Sequence, residues 1–167
     1  KSEVYIYVGF WGDADRCCGP TFRKSQCGNH GLFRAEYDWG GTCQWAQHVA
    51  PCFVNDFPGN LEVDGPGNAW ITGSYFGTTG QFGALTLTGG GAFVARYDPA
   101  GKATVGERLY TATDGMIGLG ADEDLFIAGN FGGSAVFDMV AGTNVFANFG
   151  NGMGYIAHYD ASHAYQW

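Results

Sequence analysis

Phe93, Ala95 and Tyr97 point to one side of an extended chain while Val94 and Arg96 point to the other. That alternation has the period of two of a pleated strand and no 3.6-residue counterpart. The segment closes a longer pattern that occurs three times. Each occurrence opens with a short hydrophobic run, a Gly and an aromatic: Tyr5-Ile6-Tyr7-Val8-Gly9-Phe10-Trp11, Ala69-Trp70-Ile71-Thr72-Gly73-Ser74-Tyr75 and Leu125-Phe126-Ile127-Ala128-Gly129-Asn130-Phe131. Each closes on alternation and Tyr-Asp: Phe33 to Asp38, Phe93 to Asp98 and Tyr155 to Asp160. The Gly residues lie 64 and 56 residues apart and the Asp residues 60 and 62 apart. A recurrence at about 60 residues means that one supersecondary unit was copied and buries its face against its neighbours.

The unit is a β unit. Its Gly (Gly9, Gly73, Gly129) is expected to break the strand or to permit a bulge. Its Asp (Asp38, Asp98, Asp160) begins a turn, as in Asp98-Pro99-Ala100-Gly101, where Asp first, Pro second and Gly fourth suit a type I turn. A further strand follows, at Gln44-Trp45, Thr104-Val105 and Gln166-Trp167. Several short strands in about 60 residues suit a four-stranded blade, which with its loops needs roughly 40 to 60 residues. The fold class is therefore all-β and β-propeller-like, with copies over approximately residues 3–48, 66–105 and 121–167 in one segment, 1–167. Trp45 and its equivalents are expected to lead into the next blade's first strand.

The pattern Gly-Asn-x-x-x-Thr-Gly-x-aromatic, then Phe-Gly, then Phe-Val-Ala-Arg-Tyr-Asp-x-x-Gly, carried by residues 67–101, resembles the bacterial β-propeller repeat called the SBBP repeat. The third copy keeps Gly129, Phe131, Phe137 and Tyr159-Asp160 but has Glu123-Asp124 in place of Gly67-Asn68. The first copy diverges most and has cysteines in its middle. The resemblance implies a propeller in a secreted or surface protein and implies little about activity. Three blades fall short of the usual 4 to 8 of a ring. The chain therefore reads as a piece of a longer polypeptide, or as one whose ring other chains complete.

Composition narrows the classes. With 8 Lys+Arg against 16 Asp+Glu, the net charge is −8, and no basic cluster offers itself to phosphates. Nucleic acid is not expected as a partner. Glycine is 29 of 167 residues, which serves many turns, and aromatics at 16% fill gaps between sheets. No apolar stretch approaches the 18 or so residues of a membrane helix, and no signal-type apolar region opens the sequence. The expected partners are other protein chains or further blades.

All five cysteines, Cys17, Cys18, Cys27, Cys43 and Cys52, fall in the first copy and its exit. Zinc spacings such as C-x₂-C are absent, so disulfides are the expected use, with the pairing open. Disulfides imply an oxidising location, the cell exterior or the periplasm.

A catalytic constellation does not emerge. There is no G-x-S-x-G, no P-loop and no H-E-x-x-H, and His30, His48, His158 and His163 are scattered. The His158 position is Glu36 and Arg96 in the other copies, which reads as a solvent-facing strand slot. Asp122-Glu123-Asp124 and Asp13-x-Asp15 are acidic clusters; Asp122 and Asp124 are candidates for Ca²⁺, although they lack EF-hand spacing and read better as a loop. No cofactor is expected. The leading expectation is a non-catalytic scaffold or interaction module. The alternative is a glycan-binding module using Trp11, Trp39, Tyr75 or Phe131, of which Trp11, Tyr75 and Phe131 share a repeat position and so read as core.

Overall fold

The computed structural model describes residues 3–11, 30–49, 57–137, 145–147 and 152–167. These residues are all-β, with no helix among them and several antiparallel sheets. The strands are β1 (Glu3–Trp11), β2 (His30–Asp38), β3 (Cys43–His48), β4 (Phe57–Val63), β5 (Ala69–Tyr75), β6 (Thr79–Phe82), β7 (Leu85–Thr88), β8 (Gly91–Tyr97), β9 (Ala103–Leu119), β10 (Leu125–Val136), β11 (Val145–Ala147) and β12 (Met153–Tyr159). One sheet has the order β1-β2-β3, a second runs β4-β5-β8-β9-β10 with β11 and β12 on β10, and β6-β7 is a separate hairpin.

The second sheet holds two units because β9 serves both. Its first half pairs with β8, from Ala103 opposite Tyr97 to Leu109 opposite Ala92. Its second half pairs with β10, from Gly115 opposite Gly129 to Leu119 opposite Leu125. So the last strand of the second unit becomes the first strand of the third, as expected for the strand that begins at Thr104-Val105. The second unit is a complete four-stranded meander, β4-β5-β8-β9. In the third, Tyr165 bridges to Tyr159 while His158 exchanges backbone hydrogen bonds with Gln166 and Trp167.

The Asp turns have one chemistry in all three copies. The N–H of Gly41, Gly101 and His163 donates to the carbonyl of Asp38, Asp98 and Asp160 at 2.9, 2.8 and 2.7 Å. Each Asp carboxylate then accepts the N–H four residues on, from Thr42, Lys102 and Ala164. The fourth residue sits at φ 78°, 86° and 65°, which explains Gly in two copies and makes His163 an exception. A like turn joins β4 to β5, with Gly67 at φ 91°; in the third unit the corresponding residue is Glu123, at φ 64°.

The repeated Gly does not break its strand: β5 pairs with β8 without interruption from Ala69 to Tyr75. A bulge does lie beside it on the other ladder, where the register shifts between Pro58, opposite Gly73, and Leu61, and again between Asn130 and Phe131 next to Gly129. The reason for Gly73 is close approach: a Cβ there would lie 2.6 Å from the Phe57 carbonyl oxygen and 2.9 Å from the Phe93 ring. Gly9 does not share this place. Gly73 and Gly129 pair with Phe93 and Tyr155, but Gly9 pairs with Leu32, one residue short of Phe33. By register, Phe10 rather than Trp11 is the counterpart of Tyr75 and Phe131. The ring distances agree: Phe10 to Phe33 is 5.9 Å, Tyr75 to Phe93 6.1 Å and Phe131 to Tyr155 6.2 Å.

Directly paired residues share a face of a sheet. Call the face carrying Phe93 the front and the one carrying Trp70 the back. The back of the first unit packs on the front of the second, around Leu32, Val49, Ile71, Phe93 and Tyr97. The back of the second packs on the front of the third, around Trp70, Val94, Leu125, Ile127 and Tyr159. Each fully buried large apolar side chain contributes about 1.5–3 kcal/mol relative to exposure, so these two seams hold the core.

Candidate functional site

Arg34 is the most unusual group in the seams. Its register place matches Val94 and Ile156, an apolar slot, yet it carries a guanidinium that is 1% exposed. The carbon at its centre lies 3.6 Å from the Tyr97 ring centroid and 4.5 Å from that of Trp45. Nη2 donates to the Gly101 carbonyl at 2.5 Å and to Gln47 Oε1 at 3.0 Å. Nε and Nη1 have no hydrogen-bond partner among the described residues. Burial pulls the Arg34 pKa down to about 10, opposed by Tyr97 and Asp98. The arrangement clamps the turn of the second unit to the back of the first. A charge in a slot that is apolar in two other copies was the sequence signal for it.

Beside that seam, Glu3, Tyr5, Val63, Asp64, Gly65 and Gly67 line a shallow depression of about 280 Å³. Its polar groups are largely spoken for. The Tyr5 hydroxyl donates to Glu3 Oε2 at 3.3 Å, and burial together with Glu36 and Glu3 pushes its pKa up to about 12. Asp64 accepts from the Asn68 N–H at 2.7 Å, Asn68 Nδ2 at 2.8 Å and Trp70 Nε1 at 3.2 Å, and lies 3.9 Å from Arg96 Nε. A carboxylate so engaged stabilises the β4–β5 turn and has little capacity left for a ligand.

The slot expected to face solvent holds a half-buried His158 whose partners come from its own unit: Nε2 lies 2.9 Å from Asp124 Oδ2, and the ring stacks on Phe126 at 4.6 Å. Asp124 is thus engaged with His158, while Asp122 lies exposed in the turn. No group of three or more His, Cys, Asp or Glu close enough to hold a metal occurs among the described residues.

The aromatic candidates separate. Tyr75 is fully buried, its hydroxyl donating to the Gly89 carbonyl, so it offers no ring to a sugar. Phe131 is buried too. Tyr75, Phe82 and Phe93 form a three-ring cluster that Phe131, Phe137 and Tyr155 repeat, with Phe82 to Phe93 at 4.6 Å and Phe137 to Tyr155 at 4.7 Å. Trp39, at the tip of the first Asp turn, is 75% exposed. The Trp11 side chain lies outside the described residues, as do Asp13, Asp15, Cys17, Cys18, Cys27 and Cys52. Cys43 is disulfide-bonded. No helix among the described residues is long and apolar enough to cross a membrane.

No protein-family model matches this sequence, and no curated protein matches it.

Proposed function

We propose that this chain is a segment of an extracellular β-propeller of the SBBP type, serving as a non-catalytic scaffold or protein-interaction surface. The observation that carries this reading is the back-on-front packing of three like units, with β9 closing one and opening the next. A four-stranded antiparallel meander repeated side by side is how a propeller buries sheet faces. Arg34 reaches across the first seam to the Gly101 carbonyl, while Asp64 and His158 are held by partners in their own units. All three are engaged in holding the structure, which favours scaffold over reaction centre. The bridge at Cys43 supports an oxidising location.

Labelling of intact producing cells with a membrane-impermeant amine reagent, followed by thiol alkylation before and after reduction, tests the reading. The expected result is a labelled protein whose Cys43 alkylates only after reduction. An unlabelled protein with Cys43 free in the native state would overturn it. Exposed Trp39 supports one second reading, a glycan-binding module. Saturable binding on a glycan array that is lost in Trp39→Ala would establish it in place of the first.

A further inference from the structure

In both seams the fourth residue of an Asp turn meets the back of the preceding unit. At the first seam that residue is Gly101, whose carbonyl accepts from Arg34. At the second it is His163, whose ring stands edge-on to the Trp70 indole, with centroids 5.1 Å apart and planes at 85°. The other two copies have Gly here, as Gly41 and Gly101, and His163 keeps their left-handed backbone at φ 65°. A residue with a Cβ is disfavoured there. The third unit thus holds, half-buried in a seam, a ring that titrates near neutral pH.

Its surroundings do not favour a second cation. The Arg96 guanidinium carbon lies 5.5 Å from the centroid of the same Trp70 ring. Asp64 accepts from Trp70 Nε1 at 3.2 Å and lies 3.9 Å from Arg96 Nε, so it already balances that charge. Asp160, on the turn of His163 itself, accepts from Ser162, Ala164 and Gln166. Glu62 lies exposed on β4 opposite Trp70, Glu107 lies on β9 opposite Val94, and Glu123 lies exposed on the turn before β10. Asp124 is bonded to His158. Burial lowers the pKa of His163 below its ordinary 6.5, and Arg96 lowers it further, against Asp160 and Glu123.

We infer that the second seam is an acid-sensitive joint: a proton taken up by His163 places a second cation against Trp70 and Arg96 and loosens the hold of the third unit on the second. Such a joint needs only the seam itself, and it works alike in a propeller or in any other larger body. A folded-state pKa below the unfolded value gives stability that is complete above pH 6.5 and is lost as the pH falls, because the unfolded chain takes up the proton first.

The test uses His163→Gly, which carries the residue of the other two copies and should fold, and Arg96→Gln, which removes the opposing cation. In the unaltered chain the His163 ring is expected to titrate below 6.5 by nuclear magnetic resonance, and the Trp70 indole N–H signal is expected to move with the same midpoint. Arg96→Gln is expected to shift both midpoints upward together. Between about pH 8 and about pH 5 the urea midpoint of the unaltered chain is expected to fall more steeply than that of His163→Gly. Titration of His163 at or above 6.5, or a Trp70 signal that does not follow it, overturns the inference. So do midpoints that stay or fall in Arg96→Gln, and equal acid slopes in the unaltered chain and His163→Gly.

Discussion

Gly73→Ala puts one methyl group into a tight place where the second unit meets the first. The added Cβ would lie 2.6 Å from the Phe57 carbonyl oxygen, 2.8 Å from the Tyr7 hydroxyl and 2.9 Å from Phe93 Cε1. The tyrosine hydroxyl can swing away. The other two cannot do so cheaply, since Phe57 belongs to the β4–β5 ladder and the Phe93 ring is wedged 4.6 Å from Phe82. Overpacking of a filled core costs about 1–3 kcal/mol. Replacing Gly inside a strand returns about 0.5–1 kcal/mol of backbone entropy. The net expectation is a loss of about 1–2 kcal/mol, which in a chain of this length lowers Tm by about 2–8 °C. Gly118→Ala is the matched control: it lies in β9, and nothing stands within 4 Å of its added Cβ. That variant should gain about 0.5–1 kcal/mol from the same entropy term. Urea titration and thermal unfolding followed by far-ultraviolet circular dichroism measure both. Equal or greater stability of Gly73→Ala, or a loss in Gly118→Ala as large as in Gly73→Ala, would refute the close-approach account of the repeated glycine.

Three other perturbations probe the seams and turns. Thr72 is fully buried, donates to the Gly115 carbonyl and accepts the Asn60 N–H at 3.0 Å. Thr72→Val leaves both partners short and should cost about 1–3 kcal/mol for each in urea unfolding. Burial raises the Tyr97 phenol above its ordinary value of 10.0, with Arg34 opposing. A raised folded-state pKa gives stability that is complete below pH 10 and lost as pH climbs beyond it, because the unfolded chain ionises first. Tyr97→Phe should therefore flatten the alkaline fall in stability, while losing about 0.5–1.5 kcal/mol at neutral pH with the hydrogen bond to the Val49 carbonyl; an unchanged alkaline slope would contradict this. Glu123 is exposed at φ 64°, where its counterpart is Gly67, so Glu123→Gly should stabilise by about 1 kcal/mol in the same titration.

Turns and strand existence were legible because their chemistry is local. Asp98-Pro99-Ala100-Gly101 specifies its own geometry, and the same hydrogen bonds recur at Asp38 and Asp160. Face assignment was less so. Val4-Tyr5-Ile6-Tyr7-Val8 is apolar at both parities, and a strand that is apolar on both sides does not say which side is buried. Alignment on Gly9 consequently set β1 one residue from its actual register. Arg34 was hidden for a related reason. The residue is charged where the other copies have Val94 and Ile156, and only the seam with Tyr97 and Gly101 accounts for the charge there.

Apolar residues at both parities are also what a stacked sheet requires. The second unit buries Trp70 on one face and Ile71 on the other because a neighbour lies on each side. A sheet at the end of a stack that faced only water would alternate apolar and polar along each strand. β1 does not: Val4, Ile6 and Val8 form the exposed parity, while Tyr5 and Tyr7 turn towards the second unit. β12 follows suit, with Ile156 outward and Ala157 inward. The end sheets thus carry apolar residues on both faces, as the middle one does.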